Sequence, residues 1–151
     1  MTDTLTELSI GQVAERTGLS VHTLRLYERE GLFASEVRRN GNGRRVYRQA
    51  DLDWLEYCTK FRSSGMPLAT IRRFAALVRQ GPGNEHERLA LLQEHHRMVV
   101  ERIAELTECL EVIAYKVGVY SQHVANGAEE DLWGLQSPCP PLLAAHAKFA
   151  H

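Results

Sequence analysis

Apolar and polar positions alternate in short helical blocks over the first half of the chain and settle into one long seam over the second. Ser9-Ile-Gly-Gln12 has a capping-box pattern, and Leu8 and Val13 stand where a hydrophobic staple packs. A first helix is therefore expected to run to about Arg16, with a tight turn at Thr17-Gly18-Leu19. Ser20 caps a second helix that continues to about Arg29 and ends at Gly31. Asn40-Gly41-Asn42-Gly43 is hairpin-turn chemistry, because Asn and Gly accept the positive φ such turns require; Arg38-Arg39 and Arg44-Arg45-Val46-Tyr47 form its arms. A third helix is predicted from about Gln49 to Ser64, with Asp51 near its positive end. Pro67 then opens a fourth helix at a first-turn position, where its missing N–H costs nothing. That helix aligns Leu68, Ile71, Ala75 and Val78 and stops at Gly81-Pro82-Gly83.

From Asn84 the pattern changes. Leu92, His96, Val99, Ile103, Leu106, Leu110, Ile113, Val117, Tyr120 and Val124 recur at alternating gaps of four and three. This heptad seam predicts one helix over 84–124, roughly 60 Å long at 1.5 Å per residue. Such a seam needs a partner, so Val99, Ile103, Leu106, Leu110, Ile113, Val117 and Tyr120 are expected to form a homodimer interface. The lesser alternative is a helix lying along its own domain, for which the unit over residues 8–80 offers little area to cover so long a seam. His96 reads as a tolerated polar residue near a splayed end, with pH-dependent dimer stability as the lesser alternative. Residues 1–7 read as a loose leader. Residues 125–151 form a short tail whose Trp133, Leu142, Leu143 and Phe149 fit either docking onto the rest of the protein or a frayed end.

Composition is ordinary for a globular protein, with 44% hydrophobic and 25% charged residues in 151, but charge is unevenly placed. Residues 9–79 carry 13 Lys and Arg against 7 Asp and Glu, a net of +6, whereas residues 80–151 carry 5 against 10, a net of −5. A basic head on an acidic stem fits nucleic-acid binding by the head alone. Three widely spaced cysteines, Cys58, Cys109 and Cys139, do not make a disulfide framework, and no apolar run is long enough for a membrane span. A cytoplasmic protein is expected.

Helix, short turn and helix, followed by a basic hairpin, match the layout of a helix-turn-helix, in which the second helix enters the major groove while other elements fix it to the backbone. Ser20, His22, Thr23, Arg25 and Arg29 lie on that second helix or at its start, able to reach base edges or phosphates. Arg44, Arg45 and Tyr47 on the hairpin suit phosphate contacts. A small core with solvated arginines is the bland alternative. No paired carboxylates, Ser/His/Asp arrangement or metal cluster occurs at workable spacing, and Gly41–Gly43 lacks a following Lys-Ser/Thr, so an enzyme is not expected. An architectural DNA binder acting without polymerase is the remaining alternative to a regulator.

Leu8-Ser-Ile-Gly-Gln-Val-Ala-Glu-Arg-Thr-Gly-Leu-Ser-Val-His-Thr-Leu-Arg-Leu-Tyr-Glu-Arg-Glu-Gly-Leu32 resembles the opening of the MerR family of transcription regulators, and Arg44-Arg-Val-Tyr47 resembles its wing. Asp51-Leu52 and Phe61-Arg-Ser-Ser-Gly-Met-Pro-Leu68 are similar to its next two blocks, so the resemblance covers residues 8 to about 79. It implies a mainly α fold, a winged helix-turn-helix followed by a long dimerisation helix in an antiparallel coiled coil. It also implies a homodimer on a palindromic promoter site that bends and untwists double-stranded DNA for RNA polymerase in response to an effector. By the same resemblance Arg25, Tyr27, Arg44, Tyr47 and Arg62 are the expected DNA contacts. Two positions depart from the pattern: Leu26 replaces an aromatic beside Tyr27, and Arg48 replaces a small N-cap before the third helix.

Effector chemistry is less legible. Metal-sensing relatives place cysteines near the start of the long helix and just beyond it, and this chain has neither; no metal and no cofactor are expected. The layout is closest to the short-tailed subgroup that answers aldehydes or other electrophiles, whose reactive cysteine would fall at Lys60. Cys58, two residues earlier, is expected to face the core, Cys109 to be a helix-packing residue, and Cys139 to be the most accessible thiol without an activating group. All three remain candidates for redox or electrophile sensing, with an unidentified small molecule or electrophile as effector.

Overall fold

In the computed structural model, which describes residues 6–127, the capping box at Ser9 forms as its sequence dictates. The Gln12 amide donates to Ser9 Oγ at 3.2 Å and the Ser9 amide to Gln12 Oε1 at 2.9 Å. Helix α1 (Ile10–Thr17) starts there and ends at Gly18, whose φ of 76° closes the turn. Leu8 and Val13 are both buried, as the staple requires. Leu8 has a second role that its local sequence does not announce: with Ser9 it forms strand β1 (Leu8–Ser9). Helix α2 (Val21–Arg29) follows, with the Thr23 amide donating to Ser20 Oγ at 3.0 Å.

The hairpin consists of β2 (Arg38–Arg39) and β3 (Arg45–Tyr47). Together with β1 it makes a three-stranded antiparallel sheet in the order β1-β3-β2, pairing Leu8 with Tyr47 and Arg39 with Arg45. Asn40 organises the loop: its amide donates to the Arg44 carbonyl at 2.9 Å, and its side-chain oxygen accepts from the amides of Asn42 and Arg44. Of the four loop residues only Gly43 takes a positive φ, at 74°.

Helix α3 (Gln49–Ser63) begins at Arg48, which has no side-chain oxygen to offer, and the cap is half supplied from the other direction. Asp51 Oδ2 accepts from the Arg48 amide at 2.8 Å, placing a carboxylate at the positive end of the helix. Helix α4 (Leu68–Arg79) starts one residue later than expected. Pro67 is its N-cap, in extended conformation, and the Pro67 carbonyl accepts from the Thr70 and Ile71 amides. Val13, Leu24, Leu32, Tyr47, Leu55, Cys58, Met66 and Ile71 are the most deeply enclosed side chains of the core over which α1–α4 and the sheet close. At roughly 1.5–3 kcal/mol for each fully buried large aliphatic, these few residues carry much of its cohesion.

Helix α5 (Glu85–Ala125) has no buried residue along its 41 positions. The chain divides into two compact units with the break between Arg97 and Met98, so the first three turns of α5 belong with the preceding helices. Beyond the break the seam residues Ile103, Leu106, Leu110, Ile113, Val117, Tyr120 and Val124 are 42–75% exposed. No described helix is long and apolar enough to cross a membrane.

Candidate nucleic-acid interface

Helix α2 buries Leu24 and Tyr27, which fixes what its opposite side presents. His22, Arg25 and Arg29, spaced three and four residues apart, lie on one outward face and are exposed. Ser20 and Thr23, also expected at the interface, are engaged with each other: their hydroxyls lie 2.9 Å apart, and Ser20 Oγ additionally caps the helix. Their first role is to start α2 at the right place. The tip of the hairpin presents Arg44, whose side chain is exposed.

Arg45 is different. Its Nε donates to Glu28 Oε2 on α2, and Arg39 Nη2 lies 3.6 Å from Glu28 Oε1. One carboxylate on the second helix therefore gathers two arginines from both strands of the hairpin. Sequence reasoning missed Glu28 because an acidic residue among expected phosphate-binding groups looks like background. The signal available was its spacing, one residue past Tyr27 and one before Arg29, on the side of α2 that turns toward the hairpin.

The two tyrosines expected from the resemblance at the DNA lie in the core of the chain. Tyr47 is 0% exposed and packs at 5.9 Å, centroid to centroid, from Phe33. Its hydroxyl is buried without a hydrogen-bond partner. Val46 beside it is buried as well, and the Tyr47 ring belongs to the core cluster. Tyr27 is likewise a buried residue of the core cluster. Burial pushes both phenols up from their usual range; the neighbouring Cys58 adds to the effect at Tyr27 and Glu28 to that at Tyr47. Arg62, at the end of α3, is exposed and donates to the Met66 carbonyl at 3.0 Å, which holds it over the α3–α4 turn.

Of the three thiols, Cys58 is 1% exposed, and burial pushes it up to about 12. Cys109 is exposed on α5, and Cys139 lies outside the described residues, as do Trp133, Leu142, Leu143 and Phe149. Among the described residues no group of three or more His, Cys, Asp and Glu could hold a metal ion.

Residues 8–77 match the family of MerR HTH regulatory proteins, and residues 52–114 match the MerR DNA-binding family. A helix-turn-helix transcriptional regulator of Haemophilus influenzae is 36% identical over 117 residues, 78% of this chain and 86% of its own. The fold superposes with a TM-score of 0.73 on HiNmlR, a MerR family regulator lacking the sensor domain and bound to promoter DNA. Identity there is 34%, covering 82% of this chain and 97% of that one. A MerR family regulator from Listeria monocytogenes gives a TM-score of 0.75 at 29% identity, covering 80% and 90%. Helix-turn-helix, paired wing, long helix and extended matches along the sequence agree: the chain belongs to the MerR family of transcriptional regulators.

Proposed function

We propose that this regulator binds an inverted-repeat promoter duplex as a homodimer, with α2 in the major groove and Arg44 of the wing on the flanking backbone. The observation that carries the reading is the outward row of His22, Arg25 and Arg29, set by the burial of Leu24 and Tyr27 and accompanied by an exposed arginine at the hairpin tip. Arg62 supplies a further phosphate contact. Arg45 supports this surface from behind through Glu28. HiNmlR, similar over most of both chains, is described on promoter DNA, which favours the same ligand here.

The exposed seam of α5 supports dimerisation through Val99, Ile103, Leu106, Leu110, Ile113, Val117 and Tyr120 in an antiparallel coiled coil. Two heads at a fixed separation read a palindrome and, by bending and untwisting the duplex between them, present promoter elements to RNA polymerase when an effector or stress acts. The protein works in the cytoplasm and catalyses no reaction. The leader over 1–7, head over 8–80, stem over 84–124 and tail over 125–151 are the corresponding working divisions. Selection of the full-length protein against randomised duplexes tests the reading. Enrichment of an inverted repeat supports it, and enrichment of a single unrepeated site or of no sequence contradicts it.

A further inference from the structure

Helix α2 ends in a tight turn in which the Leu32 amide donates to the Tyr27 carbonyl at 2.9 Å and Gly31 takes a φ of 69°. The four carbonyls that follow, from Glu30 to Phe33, all accept from side chains of α3 and α4. Arg72 Nε donates to the Glu30 carbonyl at 2.8 Å, and Arg72 Nη2 also reaches Glu30 Oε2 at 2.8 Å. Trp54 Nε1 donates to the Leu32 carbonyl at 2.7 Å. Arg79 Nη1 donates both to the Gly31 carbonyl, at 3.0 Å, and to the Phe33 carbonyl. The two guanidiniums stand just past the negative end of α2, where cations are favoured.

Arg79 is placed to matter most. It bridges two carbonyls two residues apart and so fixes the direction in which the chain leaves α2 for the hairpin. A Cβ at residue 31 would come within 3.7 Å of Arg79 Nη2, so the guanidinium lies directly over that glycine. Beside it opens a cleft of about 470 Å³ lined by Glu28, Phe33, Glu36, Val37 and Arg79, so packing alone does not hold this side of the connection. Its own anchor is firm: at the end of α4 the Leu77 carbonyl accepts from Asn84 Nδ2 and Arg88 Nη2, at 2.8 and 3.2 Å, and the Gly81 carbonyl accepts from Arg88 Nη2 at 2.6 Å.

We infer that Arg79 is a positioning residue for DNA binding: it touches no nucleic acid and sets the angle between the second helix and the wing. The inference rests on the reading of Arg44 as a group that binds the DNA backbone. Its test is a double-mutant cycle in the full-length protein, titrated against the inverted repeat obtained by selection, with thermal unfolding of each variant measured in parallel. Arg79→Ala and Arg44→Ala each weaken binding about tenfold, and the double variant falls well short of the product, because a misdirected wing no longer brings residue 44 to a phosphate. Arg79→Lys, which keeps a donor over the same carbonyls, recovers most of the affinity, and Arg79→Met, which keeps the length of the side chain but has no donor, takes the place of Arg79→Ala in the cycle if the latter does not fold. Unchanged affinity of the Arg79 variant that lacks the donor, or a fully multiplicative double variant, overturns the inference while leaving the wing reading intact. An Arg44→Ala protein that binds as tightly as the parent overturns both.

Discussion

Arg45 on β3 sets its guanidinium against the carboxylate of Glu28 on α2, and Arg39 on β2 approaches the same carboxylate at 3.6 Å. The hairpin is thereby tied to the second helix through one acidic residue. Consecutive arginines consequently differ in role: Arg44 points to solvent and Arg45 is engaged. Replacing Arg44 by Ala is expected to weaken binding to every duplex alike and to lower the slope of log affinity against log salt by about one for each phosphate left without its arginine. Fluorescence anisotropy over a salt series reads this, and an unchanged slope contradicts a role for Arg44 at the backbone.

Arg45→Ala and Glu28→Ala should be coupled in stability rather than additive. Both side chains are about a quarter exposed, so the coupling is on the order of 0.5–1 kcal/mol, measured by thermal unfolding of the two single variants and the double variant. Additive losses would remove the tie between hairpin and helix.

Tyr47 gives a sharper test. Its hydroxyl is buried without a partner, so Tyr47→Phe removes a desolvated group and should leave stability unchanged or raise it by up to ~1 kcal/mol. Operator affinity should stay within about twofold, a change of less than about half a kcal/mol. A tenfold loss of affinity would place the Tyr47 hydroxyl at the interface.

The cysteines separate by burial. At neutral pH an alkylating reagent should label Cys109 readily and leave Cys58 unmodified until the protein unfolds, as mass spectrometry of the digested protein reads directly; labelling of Cys58 at a rate near that of Cys109 would contradict its burial. The same burial has an alkaline consequence. The thiol rises in the folded state from an ordinary 9.0 to about 12, so the unfolded chain gives up this proton first. The stabilisation is complete below about pH 9 and is lost progressively as pH rises toward 12. Cys58→Ala should flatten that alkaline fall while costing on the order of 1 kcal/mol at neutral pH through poorer packing.

Lysine at Leu106 and Leu110, both exposed in the middle of the α5 seam, should yield monomers that lose affinity for the inverted repeat. Dimers that persist in gel filtration would place the interface elsewhere.

Much of the head was legible because its signals are local. Ser9 and Gln12, Ser20, and the Asn-Gly loop each announce an element through a hydrogen bond made within a few residues, and each formed. The seam of α5 was legible because a period of seven needs no partner in view to be read. What escaped depends on distant residues. β1 consists of two residues and exists because β3 offers a free edge. Tyr47 packs into the core with Phe33, although its motif suggested a DNA-facing residue. Glu28, Trp54, Arg72 and Arg79 act over separations of 17 to 48 residues, which no window of sequence reports.

Sedimentation equilibrium of the full-length protein with the selected duplex, repeated with a duplex carrying one half-site, bears most directly on the pairing of two reading heads by α5. Two chains on each inverted repeat, with affinity falling by orders of magnitude on the half-site, is the expected result. One chain per duplex, with equal affinity for both, would contradict it.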